Sequence, residues 1–170
     1  MKSSQPGESA MNILAILIGG MALLLQGCSY AISPAVSRTA DRAITFKHIQ
    51  ADPSSFRGKT VILGGLIAQV RTVKNGTLIE IVQKELDYWG KPRRTDRTGG
   101  LFIVHQPRAL DALVFAPGRE ITIAGEVAGT EERSLSESAV MYHLIKAREI
   151  NLWPREKPGW DKPPFLDPLH

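Results

Sequence analysis

The hydrophobic positions of the chain form one unbroken run near its start and a series of alternating stretches after it. The unbroken run, Ile13 to Leu25, is thirteen residues long. A membrane-spanning helix needs about 20 apolar residues, whereas the apolar region of a secretory signal peptide has about 7–15. The run therefore predicts a cleaved signal peptide over residues 1–27, whose start is either Met1 or Met11.

The alternating stretches predict five β-strands. The first covers residues 59–74 and contains Gly64-Gly65, a pair that marks a bulge or sharp bend inside a strand. A long strand with such a kink suits one that serves two parts of a small barrel. Asn75-Gly76 is a strong hairpin turn into a second strand over residues 77–83. The remaining strands are predicted over residues 100–106, 119–127 and 141–153, the last with a bulge near residues 146–148.

The segments between the strands complete the predicted fold. Residues 107–118 place Leu110, Leu113 and Val114 at helical spacing, which predicts a short helix or turn. The polar residues 128–139 predict an exposed loop. This order predicts a mainly β protein: a small five-stranded OB-like barrel with one short helix between strands 3 and 4. An open five-stranded meander with one packed helix is the alternative.

The barrel domain is predicted over residues 43–153. Its first part reads as a short helix or turn that Phe46, Ile49 and Phe56 pin to the core. Asp52-Pro53 has the form of a helix start, an N-cap followed by proline at the first helical position.

The two flanks of the domain are predicted to be extended. Residues 28–42 are rich in Ser and Ala and predict a tether. Residues 154–170 contain five prolines, which cannot hold a ladder or a helix. We expect a Pro-rich tail whose Trp160 and Phe165 dock on the domain or on a partner.

The signal peptide ends in Leu25-Gln26-Gly27-Cys28, which resembles the bacterial lipobox. In lipoproteins of that kind the cysteine is lipidated, with acyl chains such as palmitate, and the chain is cut before it. Cys28 is the only cysteine in the chain, so no intramolecular disulfide can form. Ser29 in place of Asp suggests, by analogy with sorting rules, export to the outer membrane of a Gram-negative bacterium. The sequence therefore predicts a membrane partner, held through lipid on Cys28.

The barrel sequence is similar to the Slp family of outer-membrane lipoproteins. The fragments that carry the resemblance include Thr77-Leu78-Ile79-Glu80-Ile81, Ile123-Ala124-Gly125-Glu126-Val127 and Ile150-Asn151-Leu152-Trp153. Shorter ones are Leu86-Asp87, Lys91-Pro92, Thr95-Asp96 and Gly100-Leu101-Phe102. The family commonly has an Arg where this chain has Gly100. The resemblance implies a lipoprotein linked to starvation or stress, with no established catalytic activity.

Composition narrows the choice of partners. Removing residues 1–27 leaves 143 residues, enough for one domain with its own core. The formal net charge of +4 and the pI near 9.4 favour anionic lipid headgroups. Nucleic acid is a poor partner for an exported lipoprotein, and the oligomeric state is open.

The search for chemistry predicts no enzyme, cofactor or metal. The four histidines, His48, His105, His143 and His170, have no metal-binding spacing. No G-x-S-x-G motif and no glycine-rich phosphate loop is present. An envelope hydrolase whose site is assembled from separated residues stays the alternative.

The loop between the second and third strands holds the candidate ligand contacts. Two aromatic and four basic residues lie within residues 88–97. Basic side chains next to aromatic rings suit an anionic ligand, here an envelope glycan or a lipid headgroup. The alternative is an ordinary solvated loop with its tryptophan folded back on the barrel. The candidates are Trp89, Lys91, Arg93, Arg94 and Arg97.

A single charge interrupts the apolar second strand. Glu80 faces opposite Ile79 and Ile81. It is predicted to pair across the strands with Arg71, or alternatively to make a polar contact inside a ligand groove.

Overall fold

Five strands close into a barrel in the order β1-β2-β3-β5-β4. The structure, a computed structural model, describes residues 30–135 and 138–155. The predicted OB-like barrel is confirmed by this topology, and the open meander is wrong. Two short helices, α1 (Pro34–Ser37) and α2 (Phe46–Ala51), precede it. The strands are β1 (Thr60–Val73), β2 (Gly76–Lys84), β3 (Leu101–Gln106), β4 (Glu120–Leu135) and β5 (Ser138–Leu152).

Strand β1 is shared between two halves of the barrel, as its length predicted. Its first part pairs with β4 and its second with β2, and Gly64, Gly65 and Leu66 pair on both sides. The predicted bulge at the glycine pair is wrong, because the register shift falls between Ile67 and Gln69. The glycines serve close approach instead. A Cβ on Gly65 would overlap the carbonyl oxygen of Val82, which belongs to the backbone of the paired strand.

The barrel interior is filled by one face of each strand. Alternate residues of β1, β2, β3 and β4 point inward, and helix α2 adds Phe46 and Ile49 to this core. The rings of Phe46 and Phe102 lie 5.4 Å apart, centre to centre. Burying one such side chain contributes about 1.5–3 kcal/mol. The fully buried members of this core cluster are Ile49, Val61, Ile79, Ile81, Phe102, Val104, Ile121, Ile123, Val127 and Ile145.

At the start of the domain, the predicted core contacts of Phe46, Ile49 and Phe56 are present, but the predicted helix start at Asp52-Pro53 is not. Helix α2 begins after Thr45, whose side chain and that of His48 form a reciprocal cap. Asp52 is the residue that ends α2, not the start of another helix. Its carboxylate accepts hydrogen bonds from the backbone and hydroxyl groups of Ser54 and Ser55. The Asp52 carboxylate therefore stabilises the turn that follows α2 instead of capping a new helix.

The predicted helix between β3 and β4 is a single turn. The backbone N–H groups of Val114 and Phe115 both bond to the carbonyl of Asp111, and the helix does not continue beyond this turn. Pro117-Gly118 ends the segment directly afterwards. Leu113 is 84% exposed, so the helical spacing that predicted burial does not apply to it.

A long hairpin replaces the predicted exposed loop at residues 128–139. Strands β4 and β5 stay paired as far as Leu135 and Ser138. The two strands of an antiparallel ribbon satisfy each other's backbone hydrogen bonds. A polar sequence therefore argues against a buried segment but not against a paired strand. The predicted bulge in β5 is confirmed, because the register skips Arg148.

Several predictions fall outside the described residues: the signal peptide, Cys28, and most of the Pro-rich tail with Trp160 and Phe165. Within the described ranges, no helix has both the length and the apolar character needed to cross a membrane.

Candidate functional site

The loop between β2 and β3 is folded as a tight, hydrogen-bonded turn. Leu86 and Pro92 pair as an isolated antiparallel bridge. The carboxylate of Asp87 accepts from the backbone N–H groups of Trp89 and Lys91, at 2.9 and 2.8 Å. Gly90 has φ near +83°, a left-handed conformation that glycine adopts without strain. We call residues 86–92 the outer turn; Tyr88 and Trp89 form its tip.

A hydrogen bond from Thr122 of β4 holds the outer turn against the outside of the barrel. The Thr122 hydroxyl donates to the carbonyl oxygen of Gly90 at 2.6 Å and accepts from Nε1 of Trp153 at 2.9 Å. Thr122 is fully buried although it faces away from the core. Leu86 packs over Gly64: a Cβ built on Gly64 would lie 2.6 Å from the Cδ2 atom of Leu86. The turn is therefore part of the folded domain.

The predicted tether is docked on the same outer surface, which corrects the expectation of a free segment from residue 31 onward. Ala31 and Ile32 are 8% and 5% exposed. The backbone N–H and the hydroxyl of Ser33 donate to the two carboxylate oxygens of Glu149, at 2.8 and 2.7 Å. The Cβ of Ala31 lies 3.1 Å from where a Cβ on Gly90 would be. Ala31 and Ile32 of this segment pack on the outside of the barrel. Amino-acid composition alone, which predicted a tether, does not reveal such packing.

Three aromatic side chains remain exposed beside this contact. Tyr88, Trp89 and Tyr30 are 89%, 67% and 66% exposed. The rings of Tyr88 and Trp89 meet edge to face at 5.8 Å. The alternative in which Trp89 folds back on the barrel is wrong, because Trp89 is 67% exposed. A different tryptophan, Trp153, bonds to Thr122 on the outer surface of the barrel.

The predicted basic residues separate into two groups. Lys91 and Arg94 meet at Glu120, each 3.3 Å from one of its carboxylate oxygens, and Lys91 also lies 5.9 Å above the ring of Trp153. Arg93 makes a long contact with the carbonyl of Leu86. Arg97 contributes its carbonyl, which accepts from Lys84. Such part-exposed ion pairs contribute about 0–1 kcal/mol each, so they position the loop more than they stabilise the fold.

An open cleft of about 700 Å³ runs beside the outer turn. Its walls carry more basic than acidic side chains. Arg119, which the sequence did not single out, braces one wall by donating to the carbonyls of Val114 and Trp153, at 2.8 and 2.6 Å. Arg155, also in the lining, lies in the segment predicted to be the Pro-rich tail. The charged lining residues are Lys84, Arg93, Arg94, Arg119 and Arg155, with Asp96 and Glu120.

Other polar groups of the described chain serve the fold. Arg71 and Glu80 form the predicted cross-strand ion pair at 2.5 Å. His105 contacts the carbonyl of Asn75 at 3.0 Å. His143 packs edge to face on Phe46, and burial lowers its pKa. Over residues 30–135 and 138–155, no group of three His, Cys, Asp or Glu side chains could hold a metal ion.

The barrel is of the OB type, and its outer surface carries a docked N-terminal segment and a basic turn. The family described as Outer membrane lipoprotein Slp family matches residues 25–168. The chain therefore belongs to the Slp family of outer membrane lipoproteins.

Individual relatives are distant. An uncharacterized protein of Haemophilus influenzae is 27% identical over 115 residues, which cover 64% of this chain and 60% of the relative. The chain thus spans less than two thirds of that relative's length.

The solved structures that match include two single-stranded DNA-binding proteins. The small one from Streptomyces coelicolor is 18% identical, with a TM-score of 0.36, covering 56% of this chain and 94% of its own. The mitochondrial protein Rim1 from S. cerevisiae is 13% identical, with a TM-score of 0.36, covering 60% and 99%.

Proposed function

We propose that the protein is held at the outer membrane by acyl chains on Cys28 and has a non-enzymatic role in the cell envelope. The observation that carries this proposal is the family match from residue 25, which includes Leu25-Gln26-Gly27-Cys28. Two or more acyl chains anchor a protein stably, whereas one holds only marginally. Cleavage before Cys28 removes the apolar run and leaves the lipid as the membrane attachment.

Metabolic labelling tests the anchor. Cells expressing the protein are grown with an alkyne analogue of palmitate, and the tagged protein is isolated. We expect label on the wild type and on Ser29→Ala, and none on Cys28→Ala. Since Cys28 is the only cysteine, loss of label cannot come from another thiol. Label that persists in Cys28→Ala refutes the anchor.

Fractionation tests the location separately. Inner and outer membranes are separated on a density gradient. We expect the wild type in the outer-membrane fraction and Ser29→Asp in the inner-membrane fraction. Wild-type protein in the inner membrane contradicts the outer-membrane assignment and leaves the lipid anchor intact.

The envelope role rests on the family and on how the polar groups are used. The described histidines contact backbone groups or aromatic rings, as for His48, His105 and His143. We expect a deletion strain to survive starvation or envelope stress less well. Wild-type protein restores survival and Cys28→Ala does not. Equal rescue by both separates the role from the anchor.

The basic cleft supports a second role, binding of an anionic envelope group. Arg93 and Arg94 line it directly. Lipopolysaccharide beads should retain wild type and the control Arg148→Ala, whose guanidinium pairs with Glu126 outside the cleft lining. The double variant Arg93→Ala, Arg94→Ala should be retained less. Equal retention of all three removes this role.

A further inference from the structure

We infer that the barrel docks on the bilayer surface in one orientation, through the aromatic patch formed by Tyr30, Tyr88 and Trp89. The inference rests on the proposed anchor at Cys28. It adds a binding surface, the membrane interface as its partner, and a fixed direction for the cleft.

The length of the linker limits where the barrel can be. The chain is docked from Ala31, so only Ser29 and Tyr30 separate it from Cys28. Three residue steps span at most about 10 Å when fully extended. The polar interfacial layer on each side of a bilayer is itself about 5–8 Å thick. The barrel surface around Ala31 therefore lies at the lipid headgroups whenever Cys28 is anchored.

The part of the barrel surface that this short linker holds next to the headgroups is the aromatic patch. Ala31 lies beside Gly90, since a Cβ built on Gly90 would be 3.1 Å from the Cβ of Ala31. Tyr30 and Trp89 immediately precede those two residues in the chain, so both lie near this contact. Tyrosine and tryptophan have an apolar body and a polar tip, and they concentrate at the membrane–water interface for that reason. Rings that are 66–89% exposed in the isolated chain are free to enter that layer.

The patch is rigid enough to define an orientation. Tyr88 and Trp89 lie at the tip of a turn that Asp87 closes from inside and Thr122 holds from the barrel side. The docked segment is fixed by the pair of bonds from Ser33 to Glu149. Two attachments thus hold the patch on one face of the barrel.

The charge next to the patch has the sign that a bacterial membrane surface attracts. Lys91, Arg93 and Arg94 follow the aromatic tip, and Arg93 and Arg94 line the neighbouring cleft. Basic residues near an anionic leaflet add to the attraction over about one Debye length, ~8–10 Å at physiological salt. The cleft then opens beside the headgroups.

The test uses the lipidated full chain in vesicles of phosphatidylethanolamine and phosphatidylglycerol. One set of vesicles carries bromine on the acyl chains, which quenches tryptophan at close range, and the other carries none. Flotation on a density gradient reports the anchor. The difference in emission between wild type and Trp89→Phe isolates the signal of Trp89. A matched control adds a tryptophan by Met141→Trp in the Trp89→Phe background.

Position 141 is a suitable control because it is also exposed but lies far along the barrel. Met141 is 57% exposed and pairs with Glu132, ten residues along β4 from Thr122. That separation is about 33 Å along the strand. We expect Trp89 emission to be quenched and shifted to the blue, and the tryptophan at position 141 to be unaffected.

The outcomes separate the inference from the anchor. Protein that floats with unquenched Trp89 overturns the docking and leaves the anchor standing, and the patch is then free for a protein partner. Quenching at position 141 instead of Trp89 overturns the orientation. Protein that fails to float refutes the anchor, and the docking falls with it.

Discussion

The hydroxyl of Thr122 joins the outer turn to the barrel by donating to the carbonyl oxygen of Gly90 at 2.6 Å. The same hydroxyl accepts from Trp153, so one buried side chain holds both the turn and the end of β5. This is an unusual place for a fully buried polar residue, because Thr122 lies on the outer face of its strand. The outer face of the barrel here is a second, smaller packing layer.

Replacing Thr122 by valine should loosen that layer. Thr122→Val keeps the shape but leaves the Gly90 carbonyl and the Trp153 N–H without their shared partner. Leaving buried polar groups unpaired costs about 1–3 kcal/mol, and this is an upper bound here because Gly90 and Trp153 are half-buried. We expect a loss of stability of up to that size in urea unfolding, and faster hydrogen exchange of the amides of residues 87–91.

Thr122→Ser is the matched control, since it keeps the hydroxyl. It should exchange like the wild type over residues 87–91. Protection that is unchanged in Thr122→Val would mean that the Asp87 turn alone orders the loop.

The N-terminal docking should depend on Glu149. In Glu149→Ala the two bonds from Ser33 are lost. We expect trypsin to cut faster after Arg38 and Arg42, which follow the docked residues. Glu126→Ala removes a carboxylate paired with Arg148 and should not change that rate. Equal cleavage of both variants would show that Ala31 and Ile32 hold the segment by apolar contact alone.

The glycine pair in β1 should tolerate no side chain at Gly65. In Gly65→Ala the new Cβ overlaps the Val82 carbonyl, and backbone cannot move aside without separating β1 from β2. Overpacking of this kind costs about 1–3 kcal/mol. Gly99→Ala is the control, because its Cβ would meet mainly the flexible end of Gln83. Thermal unfolding should show the larger loss for Gly65→Ala, and equal losses would contradict the close approach.

The strands were predictable because each has its own local signal. Alternation gave β1, β2 and β3 to within two residues, and Asn75-Gly76 marked the hairpin between β1 and β2. The extension of β4 to Leu135 carried no such signal, since residues 128–135 are polar and do not alternate with apolar positions, although they pair with β5. The helical spacing of Leu110, Leu113 and Val114 misled for the opposite reason: three apolar positions do not make a helix when Pro117 ends it within a turn.

The site was predictable in composition and not in arrangement. The sequence identified the aromatic and basic residues of the loop, but it could not show that Lys91 and Arg94 share Glu120. The roles of Thr122 and Trp153 depend on a contact between strands and a loop more than 30 residues apart. Ala31 and Ile32 gave too short an apolar signal to predict docking.

Acid should weaken the fold through His143. Burial lowers the pKa of His143 below its usual 6.5, so the unfolded chain binds the proton more tightly than the folded chain. The contribution of the neutral ring is complete above pH 6.5 and is lost as the pH falls below that value. The urea midpoint of the wild type should fall more between pH 7.5 and 5.5 than that of His143→Gln. Parallel changes in both proteins would exclude His143 as the source.

Mass spectrometry of the membrane-extracted protein tests the central claim, the lipid anchor, most directly. Trypsin should release an N-terminal peptide from Cys28 to Arg38, with cleavage after Arg38 once the segment is denatured. The account predicts that this peptide begins at Cys28 and carries the added mass of a diacylglyceryl group and an acyl chain. A peptide with unmodified Cys28, or one that continues into residues before Cys28, would contradict it.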